Sequence, residues 1–252
     1  LELIVFTLLG GTLLAVSANV LNQIFEIETD RLMERTANRP LVTGEINKKS
    51  AYVYSISLGL VGFLVLYTQT TELAAFIALS ANIFYSFIYT LVLKPRTNQN
   101  IVIGGAAGAA PVLIGWSATG TNLDTGSWLL FLLVFLWTPA HFWALSIDKL
   151  NDYKDANFPM LPTQESYKRT SIFIGIYSCA TVLTSLLLAP ILQLGMVYLL
   201  LSLIFGLYLM YKSYQLYRKQ IKAISYFVFS NTYLAVIFLS MVADIFITLS
   251  SI

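Results

Sequence analysis

Eight mostly apolar runs follow one another along the chain, near positions 3–25, 50–69, 73–93, 101–119, 128–147, 170–189, 191–211 and 224–248. A helix crossing the hydrocarbon core of a bilayer needs about 20 such residues, so each run predicts one membrane-spanning helix. None of them alternates apolar and polar residues as the short strands of a transmembrane barrel do. The run IVIGGAAGAAPVLIGWSAT at 101–119 is the least oily, and its Gly and Ala predict close approach by neighbouring helices. The fold class is therefore all-α, a polytopic membrane helical bundle. It is expected to form a single transmembrane domain over residues 1–252. The chain opens inside an apolar run without Met, and no basic stretch of the kind that begins a signal peptide precedes it. One further N-terminal span is expected to be missing from it.

Composition narrows the class. The AVILMFWYC set makes up 57% of the 252 residues and charged residues 11%, against roughly 45–50% and 25% in soluble domains. The soluble average counts Gly rather than Tyr, but 14 Gly and 15 Tyr nearly cancel here. Disorder and disulfide scaffolds are excluded by the low charge and the single cysteine, Cys179. Every one of the 15 Lys and Arg residues lies in the first, third, fifth or seventh connection, and the even-numbered connections and both ends hold none. By the positive-inside rule the odd-numbered connections face the cytoplasm, or the matrix of a mitochondrion.

Two acidic patches lie on that basic side. The first reads NQIFEIETDRLMERTANRP over 22–40. Asn22, Glu26 and Asp30 are spaced four apart, so on a helix each is offset by only ~40° from the last and all share one face. Arg31, Arg35 and Arg39 repeat the step one position later, predicting a guanidinium stripe beside an oxygen stripe. Pro40 is expected to end this helix. Hard oxygen ligands suit Mg²⁺, which is commonly held by one or two carboxylates plus substrate phosphates, and Arg forks match phosphate. The alternative is a solvated helix laced with four-apart Glu–Arg pairs.

The second patch, DKLNDYKDANFPMLP at 148–162, places Asp148 and Asp152 four apart, with Asp155 three further on. That also predicts one acidic face, or else a charged loop turned by Pro159 and Pro162. It follows the run WTPAHFWAL at 137–145, which holds the only histidine. His141 could hydrogen-bond across helices, ligate haem iron or meet a carboxylate-bearing substrate. Lys94 and Arg96 flank Pro95 in a basic turn that could reach phosphate or simply snorkel. Trp116, Trp137, Phe142 and Trp143 could face a cation or belong to an interfacial aromatic belt. Asp244 has no assigned role.

At the two patches, at LKPRTNQNIVIGGAAGAAPVLIGW (93–116) and at WTPAHFWAL, the chain resembles the UbiA superfamily of intramembrane prenyltransferases. RTANRP and NIVIGGAAGA are similar to its haem-modifying branch rather than to its quinone-making members. The resemblance implies a nine-helix bundle, eight of whose helices are present, with a central cavity open to the cytoplasmic side. It also implies transfer of a farnesyl group from farnesyl diphosphate to a vinyl group of protohaem IX (haem b), giving haem O for terminal-oxidase haem biosynthesis. Implied catalytic residues are Asn22, Glu26, Asp30 and Asp152. Implied Mg²⁺ ligands are Asn22, Glu26, Asp30, Asp148 and Asp152, with Glu26 standing where the family usually has Asp. Implied diphosphate binders are Arg31, Arg35, Arg39, Lys94 and Arg96, and implied haem contacts are His141, Trp116 and Trp137.

The implied partners are the two substrates, the lipid bilayer and a haem A synthase as candidate recipient of product; no nucleic acid is expected. The implied location is the inner (plasma) membrane of a bacterium, with the mitochondrial inner membrane as alternative. An aromatic-ring acceptor of quinone or chlorophyll pathways is the first rival reading. A transporter is the second, opposed by the clustering of acids at span ends instead of the midplane.

Overall fold

The computed structural model describes residues 1–250, with side chains described through residue 247. It is all-helical, with no strand among the described residues. Among the described residues eight helices are long and apolar enough to cross a membrane: α1 Glu2–Phe25, α2 Lys48–Gln69, α3 Glu72–Leu93, α4 Asn100–Ala118, α5 Thr125–Asp148, α6 Tyr167–Ile191, α7 Met196–Tyr217 and α8 Ala223–Ser250. They match the eight predicted runs. Several start where a short polar side chain satisfies a free backbone N–H. Asn47 accepts from Ser50 N at 2.9 Å, Thr71 from Ala74 N at 3.1 Å, and Ser166 from Arg169 N at 3.2 Å. Asp124 and Ser127 form a reciprocal capping box at the start of α5. Large apolar side chains such as Leu8, Leu207 and Leu239 are more than 60% exposed, as a lipid-facing surface requires.

The chain divides into two compact units. The first comprises residues 1–123 and 150–163. Its core is Leu14, Leu66, Ala74, Ala75, Ala78, Ala110, Ile114 and Ala118. α1 and α2 cross closely because both are glycine at the contact. A Cβ on Gly62 would lie 2.8 Å from the Gly10 carbonyl oxygen and 2.9 Å from Leu13 Cβ. Ser17 and Ser55 bond across the same interface, 3.2 Å between hydroxyl oxygens. This is small-residue packing of the kind expected where lipid offers no hydrophobic drive. α3 runs parallel to α1. The amide of Asn82 donates to the Leu14 carbonyl at 2.8 Å, and two further contacts keep the same offset of 68 residues.

The second unit, residues 124–149 and 164–252, is a ring in which α5 packs on α6 and α8, and α7 joins α6 to α8. Hydroxyl groups stitch its interior. Ser185 meets Ser202 at 2.9 Å and accepts from Tyr233 at 2.7 Å, while Tyr226 meets Ser178 at 2.6 Å. Asp244, without a role on sequence grounds, is a cap supplied from another helix. Its carboxylate accepts from the backbone N–H groups of Gly195 and Tyr198 at the start of α7.

Candidate active site

The first acidic patch keeps its face only as far as Asp30. α1 ends at Phe25, and Glu26 (φ −102°, ψ 13°) bends the chain before the one-turn helix Ile27–Asp30. The four-residue backbone bonds nevertheless persist: Glu26 N donates to Asn22 O at 3.0 Å, and Asp30 N to Glu26 O at 2.7 Å. Asn22, Glu26 and Asp30 therefore stay one above another, and all three are buried.

The arginine stripe does not form. Residues 31–38 make turns instead of a helix, and Pro40 begins the one-turn helix Pro40–Thr43 rather than ending one. Proline favours that first position because its missing N–H has no partner to lose there. Buried Met33 and Thr36 hold the turn, with the Thr36 hydroxyl donating to the Asp30 carbonyl at 2.9 Å. The reversal returns Arg39 to Asp30, Nη1 to Oδ2 at 2.5 Å. Arg35 stays exposed, and Arg31 pairs at 3.3 Å with exposed Glu28. Arg96 is exposed and donates to the Leu91 carbonyl at 3.3 Å.

Lys94 comes from the end of α3. Its Nζ lies 2.6 Å from Glu26 Oε2, with the two side chains 13% and 6% exposed. The same ammonium sits 4.6 Å from the centroid of the Phe158 ring. Phe158 belongs to the segment 150–163 that folds into this unit, anchored by buried Tyr153, Met160 and Leu161. Asn100, fully buried at the start of α4, donates to the Thr97 carbonyl at 2.7 Å and to Pro159 O at 3.5 Å. Glu26 and Asp30 each have one oxygen on a cation and one bare. Glu26 Oε1 and Asp30 Oδ1 are buried with no hydrogen-bond partner. Buried polar atoms are rarely left so.

The second half of α3, Phe84–Leu93, is wound with i→i+5 hydrogen bonds, a π-helix. Lys94 N donates to Tyr89 O at 2.8 Å in that register. Such stretches are rare and often mark functional sites. Gly104 of α4 makes room for it, since a Cβ there would collide with the Tyr89 ring.

The second acidic patch is split. α5 ends at Asp148, Lys149 (φ −102°, ψ 31°) breaks the helix, and Asp152 belongs to the short helix Leu150–Asp155. The expected continuous face from Asp148 to Asp155 is therefore interrupted. Asp148 lies in the second unit, 3.5 Å from Lys149. Asp152 lies in the first unit, half-buried. Among the described residues no three His, Cys, Asp or Glu side chains converge as a metal-binding group.

Of the three haem candidates, two meet. His141 is sandwiched between Trp137 (centroids 4.1 Å apart, 20° between planes) and Phe227 (4.2 Å, 23°). Ser230 donates its one hydroxyl proton to the Phe227 carbonyl at 2.7 Å, so it accepts from His141 Nδ1–H at 2.7 Å. That choice leaves the lone pair on Nε2. Trp137 donates to Ser230 O at 2.9 Å. Trp116 is in the other unit and donates to Asn122 O at 3.3 Å. Trp143 is a core residue, 1% exposed, packed edge-on against Tyr177 at 5.3 Å.

Sequence reasoning missed Thr90, Phe158, Asn100, Phe227 and Ser230. Only Thr90 carried a signal: it stands four before Lys94, as Asn22 stands four before Glu26.

The model of the UbiA prenyltransferase family matches residues 1–242. A protein of Clavibacter sepedonicus named protoheme IX farnesyltransferase is 42% identical over 247 residues, 96% of this chain and 81% of its own length. One of that name from Thermus thermophilus is 42% identical over 238 residues, 94% of this chain. The match covers 39% of that longer protein, so the chain spans well under half of it. Among solved structures, one described as digeranylgeranylglyceryl phosphate synthase superposes with a TM-score of 0.78 at 22% identity, over 95% of this chain and 84% of that one. A UbiA homolog from Archaeoglobus fulgidus bound to GPP and Mg²⁺ gives 0.66 at 17% identity, over 96% and 88%. At these identities the structural likeness concerns the fold.

Proposed function

The chain belongs to the UbiA prenyltransferase family, and from that premise we propose that it transfers a farnesyl group from farnesyl diphosphate to a vinyl group of haem b, giving haem O. The observation that carries the chemistry is the pair of buried bare oxygens, Glu26 Oε1 and Asp30 Oδ1, each on a carboxylate already touching a cation. The names of the relatives support haem as acceptor.

Hard, unsatisfied carboxylate oxygens fit Mg²⁺, and the Archaeoglobus fulgidus homolog is bound to that ion. Asn22, Glu26, Asp30 and Asp152, all of the first unit, would hold it. When bound, the metal neutralises the diphosphate and makes it a better leaving group. Lys94 and Arg39 would leave their carboxylates and take phosphate oxygens, with Arg31, Arg35 and Arg96 as further basic groups. The C1–O bond of the farnesyl diphosphate breaks as charge passes to the diphosphate. The apolar bundle keeps water from the allylic cation. The vinyl carbon forms the new C–C bond, and water then adds to the porphyrin-side cation and loses a proton, leaving a hydroxyethylfarnesyl group. The odd-numbered connections, which hold these groups, face the cytoplasm of a bacterium in this proposal.

The direct test incubates the full-length protein with haem b, farnesyl diphosphate and Mg²⁺ and follows farnesylated haem by mass spectrometry. EDTA is expected to stop product formation and added Mg²⁺ to restore it. Turnover unaffected by chelation removes the metal assignment; prenylation of an aromatic acceptor but never of haem removes the haem assignment.

His141 holds haem in this scheme through Nε2. His141→Phe keeps the stack with Trp137 and Phe227 and deletes that lone pair. Haem affinity, read from the Soret band, is expected to fall about tenfold (~1.4 kcal/mol), with farnesyl diphosphate binding unchanged. Equal losses for both substrates would remove the haem role.

A further inference from the structure

We infer that Thr90 is a positioning residue that sets which end of the Asn22 amide faces the site, through the π-helical register of α3. The inference rests on the proposed role of Asn22 as an oxygen ligand. Asn22 Nδ2 donates to Thr90 Oγ1 at 3.1 Å, with both residues buried, at 7% and 4% exposure. Thr90 has one hydroxyl proton, and it goes to the Tyr85 carbonyl at 2.9 Å. Its oxygen therefore offers Asn22 only lone pairs. The NH₂ end of the amide must turn to Thr90, so Oδ1 points the other way, the orientation an oxygen ligand needs. A partner that can both donate and accept would take either end of an amide; here the choice is removed.

The π-helix makes the arrangement possible. Tyr85 is five residues before Thr90, so the hydroxyl bond follows the i→i+5 register of Phe84–Leu93. In an α-helix a threonine bonds back to the carbonyl three or four before it. The wider turn also brings residues four apart nearly into line, where an α-helix would offset them by ~40°. Thr90 and Lys94 accordingly meet Asn22 and Glu26 at the same 68-residue offset. Thus one π-helical face sets both the amide and the carboxylate of the first patch.

The test titrates Mn²⁺, with inorganic pyrophosphate present, into the full-length protein and reads free Mn²⁺ by electron paramagnetic resonance. Thr90→Val is isosteric and loses the acceptor; Mn²⁺ affinity is expected to fall about tenfold, as for one polar interaction. Thr90→Ser keeps the hydroxyl and is expected within about twofold of the parent. In an Asn22→Ala background Thr90→Val adds no further loss, because the two act through one amide. Haem binding by Thr90→Val stays at the parent value, which a misfolded bundle would not allow. Parent-like Mn²⁺ affinity in Thr90→Val, no rescue by Ser, or additive losses each overturn the inference while the metal site stands. Unchanged Mn²⁺ affinity in Asn22→Ala removes Asn22 from the site and the role of Thr90 with it.

Discussion

Asp30→Asn is expected to lower kcat/KM for the proposed farnesyl transfer by about 10²–10³-fold, the loss typical of removing a group that stabilises developing charge, while the spans stay folded. Asp30 is 1% exposed, with Oδ2 on Arg39 at 2.5 Å and Oδ1 bare. Asparagine fills the same space and can still meet Arg39 with its carbonyl. It removes one formal negative charge and replaces a proposed oxygen ligand with an NH₂ group. Arg39 is 28% exposed, so its charge can turn toward water when the carboxylate is gone. The damage therefore falls on chemistry more than on stability. Glu28→Gln is the internal control. Its side chain is 78% exposed and its partner Arg31 lies in solvent, so near-parental turnover is expected. Turnover and thermal midpoint measured together decide the matter; an Asp30→Asn enzyme within about tenfold of the parent would remove Asp30 from the catalytic set.

Lys94→Met has the largest effect on stability. It strips the counter-charge from Glu26, whose carboxylate is 6% exposed. Breaking a buried pair from one side costs about 3–5 kcal/mol, because the remaining charge is neither hydrated nor compensated. A thermal midpoint lower by roughly 10 °C is expected. Adding Glu26→Gln to the same chain removes the stranded charge and is expected to recover most of the loss. Farnesyl transfer is not expected to return with it, since the proposed phosphate-binding cation and the proposed metal-ligand carboxylate are then both missing. A double variant as unstable as Lys94→Met alone would mean that the lysine, whose ammonium lies over the Phe158 ring, supports the fold by packing and not by its charge on Glu26.

The two acidic patches show how far local spacing carries. Asn22, Glu26 and Asp30 share a face because four-residue backbone bonds continue through the bend at Glu26. The same spacing rule fails for Arg31, Arg35 and Arg39, because Thr36 and Met33 bury themselves under Asp30 and turn the chain back. It fails again between Asp148 and Asp152, where Lys149 breaks the helix. Spacing describes a face only while the helix lasts, and tertiary burial decides where the helix stops.

What the sequence determined alone was the number and position of the spans, their all-helical character, the basic sidedness of their connections and the existence of an acidic patch. Each of these is a local property, because a bilayer tests every segment for length and polarity by itself and forbids unpaired backbone within it. Tertiary structure alone decided which cation each carboxylate meets, which ring covers Lys94 and which hydroxyl sets His141. Those partners stand far apart in the chain: 68 residues separate Glu26 from Lys94, and 89 separate His141 from Ser230. Helix packing and the wide turns of α3 bring them together, and a small change in winding would present a different side chain at each contact.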